Sequence, residues 1–200
     1  MGQENYKSKV HQFFINWFNI DIIKAFPRYS TRIAKQHFGN RPVVCAEVGV
    51  YKGENANSIL NELNVQKMYL IDPYLEWVDQ EHLGGGKDQA TMDKYKAMTH
   101  KLLKDYEDEC VYLEKFSDVA LNDIKEGLDY VYLDGNHDYE YIKMELEQYW
   151  NKLRVGGILA GHDIHLASVS KAVNEFCERH NLKRQYESYS DFVIVKEKGK

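Results

Sequence analysis

Two short apolar runs in this chain end abruptly on groups able to hold a proton or a metal. Tyr130-Val131-Tyr132-Leu133 is followed by Asp134-Gly135-Asn136-His137, and Ile158-Leu159-Ala160 by Gly161-His162-Asp163. Carboxylates are hard oxygen ligands, and imidazole is both a metal ligand and a base near neutral pH. Asp134, His137, His162 and Asp163 therefore form a candidate reaction centre. Upstream, Val43-Val44-Cys45-Ala46-Glu47-Val48 runs into Gly49-Val50-Tyr51-Lys52-Gly53. A glycine turn between a strand and a helix lets backbone approach a bound group and presents the free N–H donors of the helix start. Asp72 closes the next apolar run, where a carboxylate can accept from ribose hydroxyls. Together these signals point to a nucleotide-type cofactor beside an acidic centre.

Such groups can cooperate only if the chain brings them to one edge. Near-continuous apolar runs at Val43–Val48, Lys67–Ile71, Cys110–Leu113, Leu128–Leu133 and Gly157–Ala160 predict strands buried on both faces. Helical spacing predicts Asn55–Leu63, Asp88–Tyr106, Tyr139–Trp150 and Ser168–His180 as helices, their apolar stripes serving as core faces. The alternation implies a mostly parallel sheet covered on both sides, whose ligands sit at the strands' carboxyl ends. Five residues join the last two runs, Leu182–Tyr186 and Phe192–Val195. That is too short for a parallel crossover, so the last strand should be antiparallel. Helical patterning also runs from about Tyr6 to Phe38, with an interruption at Pro27. The expected fold is thus α/β, a doubly wound, mostly parallel seven-stranded Rossmann-like sheet with an antiparallel last strand and N-terminal helices. It reads as one domain, residues 1–40 forming a helical extension and 43–196 the core.

Two hundred residues suffice for such a core, 44% of them hydrophobic, and the net charge is −5. No basic stripe supports nucleic-acid binding, and no apolar stretch is long enough to span a membrane. The start lacks the pattern of a secretory signal, so a cytoplasmic protein is expected. Cys45, Cys110 and Cys177 have no metal-ligand or disulfide spacing and are expected to be buried thiols.

Glu47 to Gly53, Ile71-Asp72-Pro73-Tyr74, Leu133-Asp134 and Leu153-Arg154-Val155-Gly156-Gly157-Ile158-Leu159 resemble class I S-adenosylmethionine-dependent methyltransferases, over roughly Val43 to Val195. The resemblance implies that Glu47 lies near the methionine end of the cofactor and that Asp72 holds the ribose. Phe116 or Ser117 would border the adenine. Glu47, Gly49, Tyr51, Gly53, Asp72, Ser117 and Asp134 are then the expected cofactor contacts. Tyr51 departs from the family, where many members have glycine. Within it the chain looks most like the catechol and macrolide-sugar O-methyltransferases. That likeness implies a divalent metal on Asp134, His162 and Asp163, with His137 as general base.

The chemistry is consistent with that assignment. A neutral hydroxyl is a poor nucleophile, so a methyl acceptor needs a base or a metal that depresses its pKa. Two carboxylates suit magnesium or manganese, whereas an imidazole ligand tilts the choice toward manganese, iron or zinc. Plainer roles stay open at this stage. Asp134 and His137 could cap the following helix, and His162 could orient a ligand instead of being one. His165 reads as loop, and His11, His37, His82, His100 and His180 as surface or core. The stretch from Asp72 to Lys87, with Gly84-Gly85-Gly86, reads equally as a lid or a surface connection. Phe13, Trp17, Tyr74 and Trp77 are candidates for the acceptor pocket, the core or a homodimer contact.

The leading expectation is an O-methyltransferase acting on a small hydroxylated molecule, sugar or phenol, with a divalent metal. A metal-independent methyltransferase using a histidine base, and a non-catalytic cofactor-binding module, are the alternatives. A dinucleotide oxidoreductase is disfavoured because G-x-G-x-x-G is missing.

Overall fold

The computed structural model describes residues 27–77, 86–187 and 191–197. Helix α1 (Tyr29–Phe38) leads into strand β1 (Val43–Val48), then α2 (Glu54–Glu62) and β2 (Val65–Ile71). Helix α3 (Gln89–Leu102), β3 (Cys110–Leu113), the short α4 (Ser117–Ala120) and β4 (Leu128–Leu133) follow. The chain ends with α5 (Tyr139–Lys152), β5 (Leu153–Gly161), α6 (Ala167–Arg179), β6 (Arg184–Glu187) and β7 (Asp191–Val195). The seven strands lie in the order β3-β2-β1-β4-β5-β7-β6, and β7 runs antiparallel to both neighbours. This is the expected doubly wound sheet with its hairpin finish.

Alternation along each strand explains why both faces are covered. Val44, Ala46 and Val48 of β1 and Val131 and Leu133 of β4 pack with Ile142, Leu146, Val173 and Phe176 of α5 and α6. Cys45, Tyr130 and Tyr132 point the other way, toward Ala34 and Phe38 of α1 and Ala56, Ile59 and Leu60 of α2. A one-residue slip would exchange the two sets, so burial on both sides pins the register.

Some boundaries differ from those expected. Strand β5 starts at Leu153, four residues before Gly157, because Gly156 at φ +81 makes an irregular step that keeps the chain in the sheet. The stripe on α3 is mostly not core: Met92 and Thr99 are buried, but Met98 and Leu102 are exposed. Cys110 is only half-buried, at the sheet's outer strand. Residues 1–26, with the patterning from Tyr6, lie outside the described residues, as do residues 78–85. Among the described residues no helix is long and apolar enough to cross a membrane.

Candidate active site

The parallel register sets the carboxyl ends of β1, β4 and β5 level, pairing Val48 with Leu133 and Leu133 with Gly161. The residues that follow, Gly49, Asp134 and His162, therefore emerge side by side. Between β1 and β4 the strand order reverses, and open sheets bind ligands in the crevice this leaves. Asp134 N–H donates to Val48 O (2.8 Å) and His162 N–H to Leu133 O (3.0 Å), extending the ladder by one residue under the site.

Here the four predicted residues meet. His162 Nδ1 lies 2.9 Å from Asp163 Oδ1 and 3.6 Å from Asp134 Oδ1. His137 Nε2 lies 2.9 Å from Asp163 Oδ2 and 4.0 Å from Asp134 Oδ1. Asp163 can face both imidazoles because its backbone turns into the left-handed region at φ 55, which aspartate tolerates better than most residues. Asp134, His162 and Asp163 each offer a ligand atom, all within 4.8 Å of one another.

Burial raises the Asp134 carboxyl to about 6, against the lowering influence of Arg28 and His162. Burial acts the same way on Asp163, but the His137 and His162 imidazoles outweigh it and hold that carboxyl well below the usual range. Asp163 in turn raises the His137 imidazole, outweighing its desolvation.

The glycine turn forms the adjoining cradle. Gly49 has φ +84, and a Cβ there would sit 2.1 Å from the Asp134 carbonyl oxygen. Gly53 caps α2 at φ +77, where a Cβ would meet Thr99 at 2.9 Å. Tyr51 adopts φ 55 without being glycine, at a cost of about 1–3 kcal/mol. Its side chain stacks edge-on to Tyr95 under Lys52, and its N–H donates to Asp72 Oδ2 (2.9 Å). Tyr74 N–H donates to Asp72 Oδ1 (2.8 Å), so only the remaining lone pairs of Asp72 are left for a ribose.

Glu47 is buried at the end of β1. Asn55 Nδ2 donates to its Oε1 (2.9 Å), while Glu47 Oε2 and Asn55 Oδ1 have no partner. Buried acceptors without donors are costly, and a bound ammonium group would relieve them. The cradle thus fits the amino-acid end of a cofactor. Without one, burial pushes the Glu47 carboxyl from 4.5 up to about 8. The folded state then binds a proton that the unfolded state releases, so this contribution to stability is complete below pH 4.5 and is lost as pH rises through 8. Glu47→Gln should remove that slope in the cofactor-free protein, leaving it on the order of 5 kcal/mol more stable than wild type at alkaline pH. Urea unfolding at acid and alkaline pH measures it, and equal slopes in both proteins would contradict it.

The Ser117 hydroxyl is buried and donates its proton to Glu145 Oε1 (2.6 Å), while Phe116 beside it is exposed. Tyr74 is buried with its hydroxyl donating to Thr99, so it belongs to the core, whereas Trp77 is exposed and pairs with Lys87 across the base of the long loop. Phe13, Trp17, His11 and His82 lie outside the described residues, as do Gly84 and Gly85 of the triple glycine. His37 contacts Gly156 O, His100 stacks on Tyr112 and His180 pairs with Glu147, as structural histidines should.

Arg28, Asp191, His165 and Glu145 were not anticipated. The Arg28 guanidinium lies 3.6 Å from Asp134 Oδ2, 3.7 Å from Asp191 Oδ1 and over the Tyr132 ring. Buried Asp191 also accepts from Ser30 N, Ser30 Oγ and Tyr132 Oη, docking α1 on the sheet. The hairpin reading implied that β7 begins at this edge, so Asp191 was within reach of sequence reasoning, but nothing local marks Arg28. His165 Nδ1 stands 3.7 Å from Asp163 Oδ1. Glu145 had a signal, a carboxylate between Ile142 and Leu146 on the buried stripe of α5.

The sequence matches the family described as “Methyltransferase domain” over residues 46–164. No curated relative matches it. Among solved structures, an O-methyltransferase from Bacillus cereus in complex with SAH is similar at 11% identity and a TM-score of 0.58, covering 94% of this chain and 97% of that one. A precorrin-6y C5,15-methyltransferase from Geobacter metallireducens is similar at 14% identity and 0.57, covering 82% and 85%. An rRNA methylase from Streptococcus thermophilus is similar at 11% and 0.61, covering 86% and 99%. At such identities the likeness is one of fold.

Proposed function

Because this chain belongs to the methyltransferase-domain family and is an S-adenosylmethionine-dependent methyltransferase, we propose that it methylates a hydroxyl oxygen of a small sugar-like or phenolic molecule, with His137 as base and a divalent metal on Asp134, His162 and Asp163. The observation that carries this reading is the convergence of these four side chains beside the Gly49 crevice.

S-adenosylmethionine supplies an electrophilic methyl group when bound, so the protein's task is to hold the cofactor and free the acceptor's lone pair. Glu47 and Asn55 suit the amino-acid end, the Gly49 to Gly53 turn the centre, and Asp72 the ribose. His137 Nε2 faces Asp163 and Asp134, which keeps its proton there and leaves Nδ1 to take the acceptor's proton. The resulting imidazolium is stabilised by both carboxylates. The oxygen-rich donor set with one imidazole fits magnesium or manganese. Such an ion would lower the acceptor's pKa and orient it.

A metal-independent reading also has an observation in its favour, since Arg28 already places a cation 3.6 Å from Asp134. Manganese titration by calorimetry separates the two. Binding to wild type that is lost in Asp134→Asn, with chelator-sensitive methyl transfer to oxygen, is expected. Full activity after exhaustive chelation would overturn the metal.

A further inference from the structure

Arg28 reaches the reaction centre from the start of α1, yet among the described residues its guanidinium makes no hydrogen bond. Its contacts are two ion pairs, 3.6 Å to Asp134 Oδ2 and 3.7 Å to Asp191 Oδ1, and the face of the Tyr132 ring. Both pairs are longer than the roughly 2.7–2.9 Å of a charge-assisted hydrogen bond. The side chain is 34% exposed, so solvent reaches its donors. Neither carboxylate depends on Arg28. Asp191 already accepts from Ser30 N (3.1 Å), Ser30 Oγ (2.7 Å) and Tyr132 Oη (3.2 Å). Asp134 faces His162 and His137 through its other oxygen. An arginine that served only to brace the fold would close on one of these carboxylates with both prongs of its fork.

The position of the guanidinium is nonetheless fixed. The Arg28 carbonyl accepts from Arg32 N–H (3.1 Å) at the first turn of α1, and the buried Tyr132 ring supports the guanidinium at 5.6 Å. A fixed planar cation with open donors suits a bidentate contact to an anion. Asp134 separates it from the proposed base, with Oδ2 toward Arg28 and Oδ1 toward His137 and His162. A molecule whose reacting hydroxyl lies at His137 therefore meets Arg28 with a substituent on the far side of its ring. Asp134 and Asp191 limit the charge of that substituent, because a phosphate dianion there meets about twice the repulsion of a single carboxylate.

We infer that Arg28 selects acceptors that carry a carboxylate, which its guanidinium holds with two prongs while the hydroxyl faces His137. The inference rests on the reading of this crevice as the acceptor site of a hydroxyl-directed methyltransferase. It narrows the sugar-like or phenolic acceptor to a hydroxylated acid.

The test is calorimetry of the full-length protein saturated with S-adenosylhomocysteine. The probes are pairs that share their hydroxyls and differ in charge: 3,4-dihydroxybenzoate against 3,4-dihydroxybenzamide, and glucuronate against glucose. In the pair that the site accepts, the acid should bind about tenfold or more tightly, the worth of a hydrogen bond to a charged group. Arg28→Gln should bind both members alike and hold the neutral one as wild type does. Arg28→Lys keeps the charge that Asp134 and Asp191 face but loses the fork, so it should retain only part of the preference; it decides the matter if Arg28→Gln does not fold. Equal affinities within both pairs, or no binding of any probe, would overturn the inference. A preference preserved in the variants, with both members weakened equally, would also overturn it and reduce Arg28 to an anchor of α1. Tighter binding of glucose 6-phosphate than of glucuronate would refute the carboxylate. Each titration is repeated in chelator and with manganese. A failed metal or base reading changes both members of a pair alike and leaves their ratio, so the two failures are told apart.

Discussion

Gly49→Ala should abolish S-adenosylhomocysteine binding and destabilise the cofactor-free fold by about 4 kcal/mol, the sum of a strained backbone and an overfilled crevice. A side chain at φ +84 is disfavoured in itself, and the added carbon would lie 2.1 Å from the Asp134 carbonyl oxygen and 2.7 Å from Gly135 Cα. These are backbone atoms, so no side-chain rotation relieves the clash. Nor can β4 draw back, since Asp134 N–H is bonded to Val48 O at 2.8 Å. Any shift that accommodates the methyl separates β1 from β4 at the crevice and moves the Asp134 carboxylate with it. Gly156→Ala is the control: it has a similar φ of +81 but nothing within 4 Å of the added carbon. It should cost about 1–3 kcal/mol and leave cofactor binding intact. Urea unfolding and calorimetry decide the matter, and equal behaviour of the two variants would refute the steric account.

Asp163→Asn is expected to lower methyl transfer by about 10²–10⁴-fold, the range for losing a general base. Asparagine keeps the size of the side chain and accepts the left-handed backbone at φ 55, so the fold should survive. What disappears is the charge that His137 Nε2 and His162 Nδ1 both face at 2.9 Å. The His137 imidazole then loses the main influence raising its basicity, and the proposed metal loses one of its two carboxylates. Because both losses run through one side chain, His137→Ala added to Asp163→Asn should cost far less than it does alone. Initial rates of S-adenosylhomocysteine formation with an acceptor that wild type turns over provide the measurement. Full additivity would place the two residues in separate roles.

Much of this arrangement was legible before any coordinates. Strands buried on both faces announce themselves as unbroken apolar runs, and Leu128–Leu133 and Val43–Val48 have the boundaries their composition implies. The hairpin finish followed from a five-residue connection. Helix α3 misled because its methionine and leucine spacing is that of a core face, yet Met98 and Leu102 are exposed. Periodicity reports which residues share a side of a helix, not whether that side is covered. Ser117 was legible as a position but not as a partner: its hydroxyl donates to Glu145, which lies in a different helix.

Local sequence determined the alternation of strands and helices, the glycine turn after β1, and the polar tips of β4 and β5, because each depends on neighbours within a few residues. Only the tertiary structure decided that Arg28 reaches Asp134, that Asp191 anchors the first described helix at the same edge, and that Asp163 is shared between two imidazoles. Those contacts join residues far apart in the chain, and they exist because parallel register brings strand ends level and burial on both faces leaves no other register available.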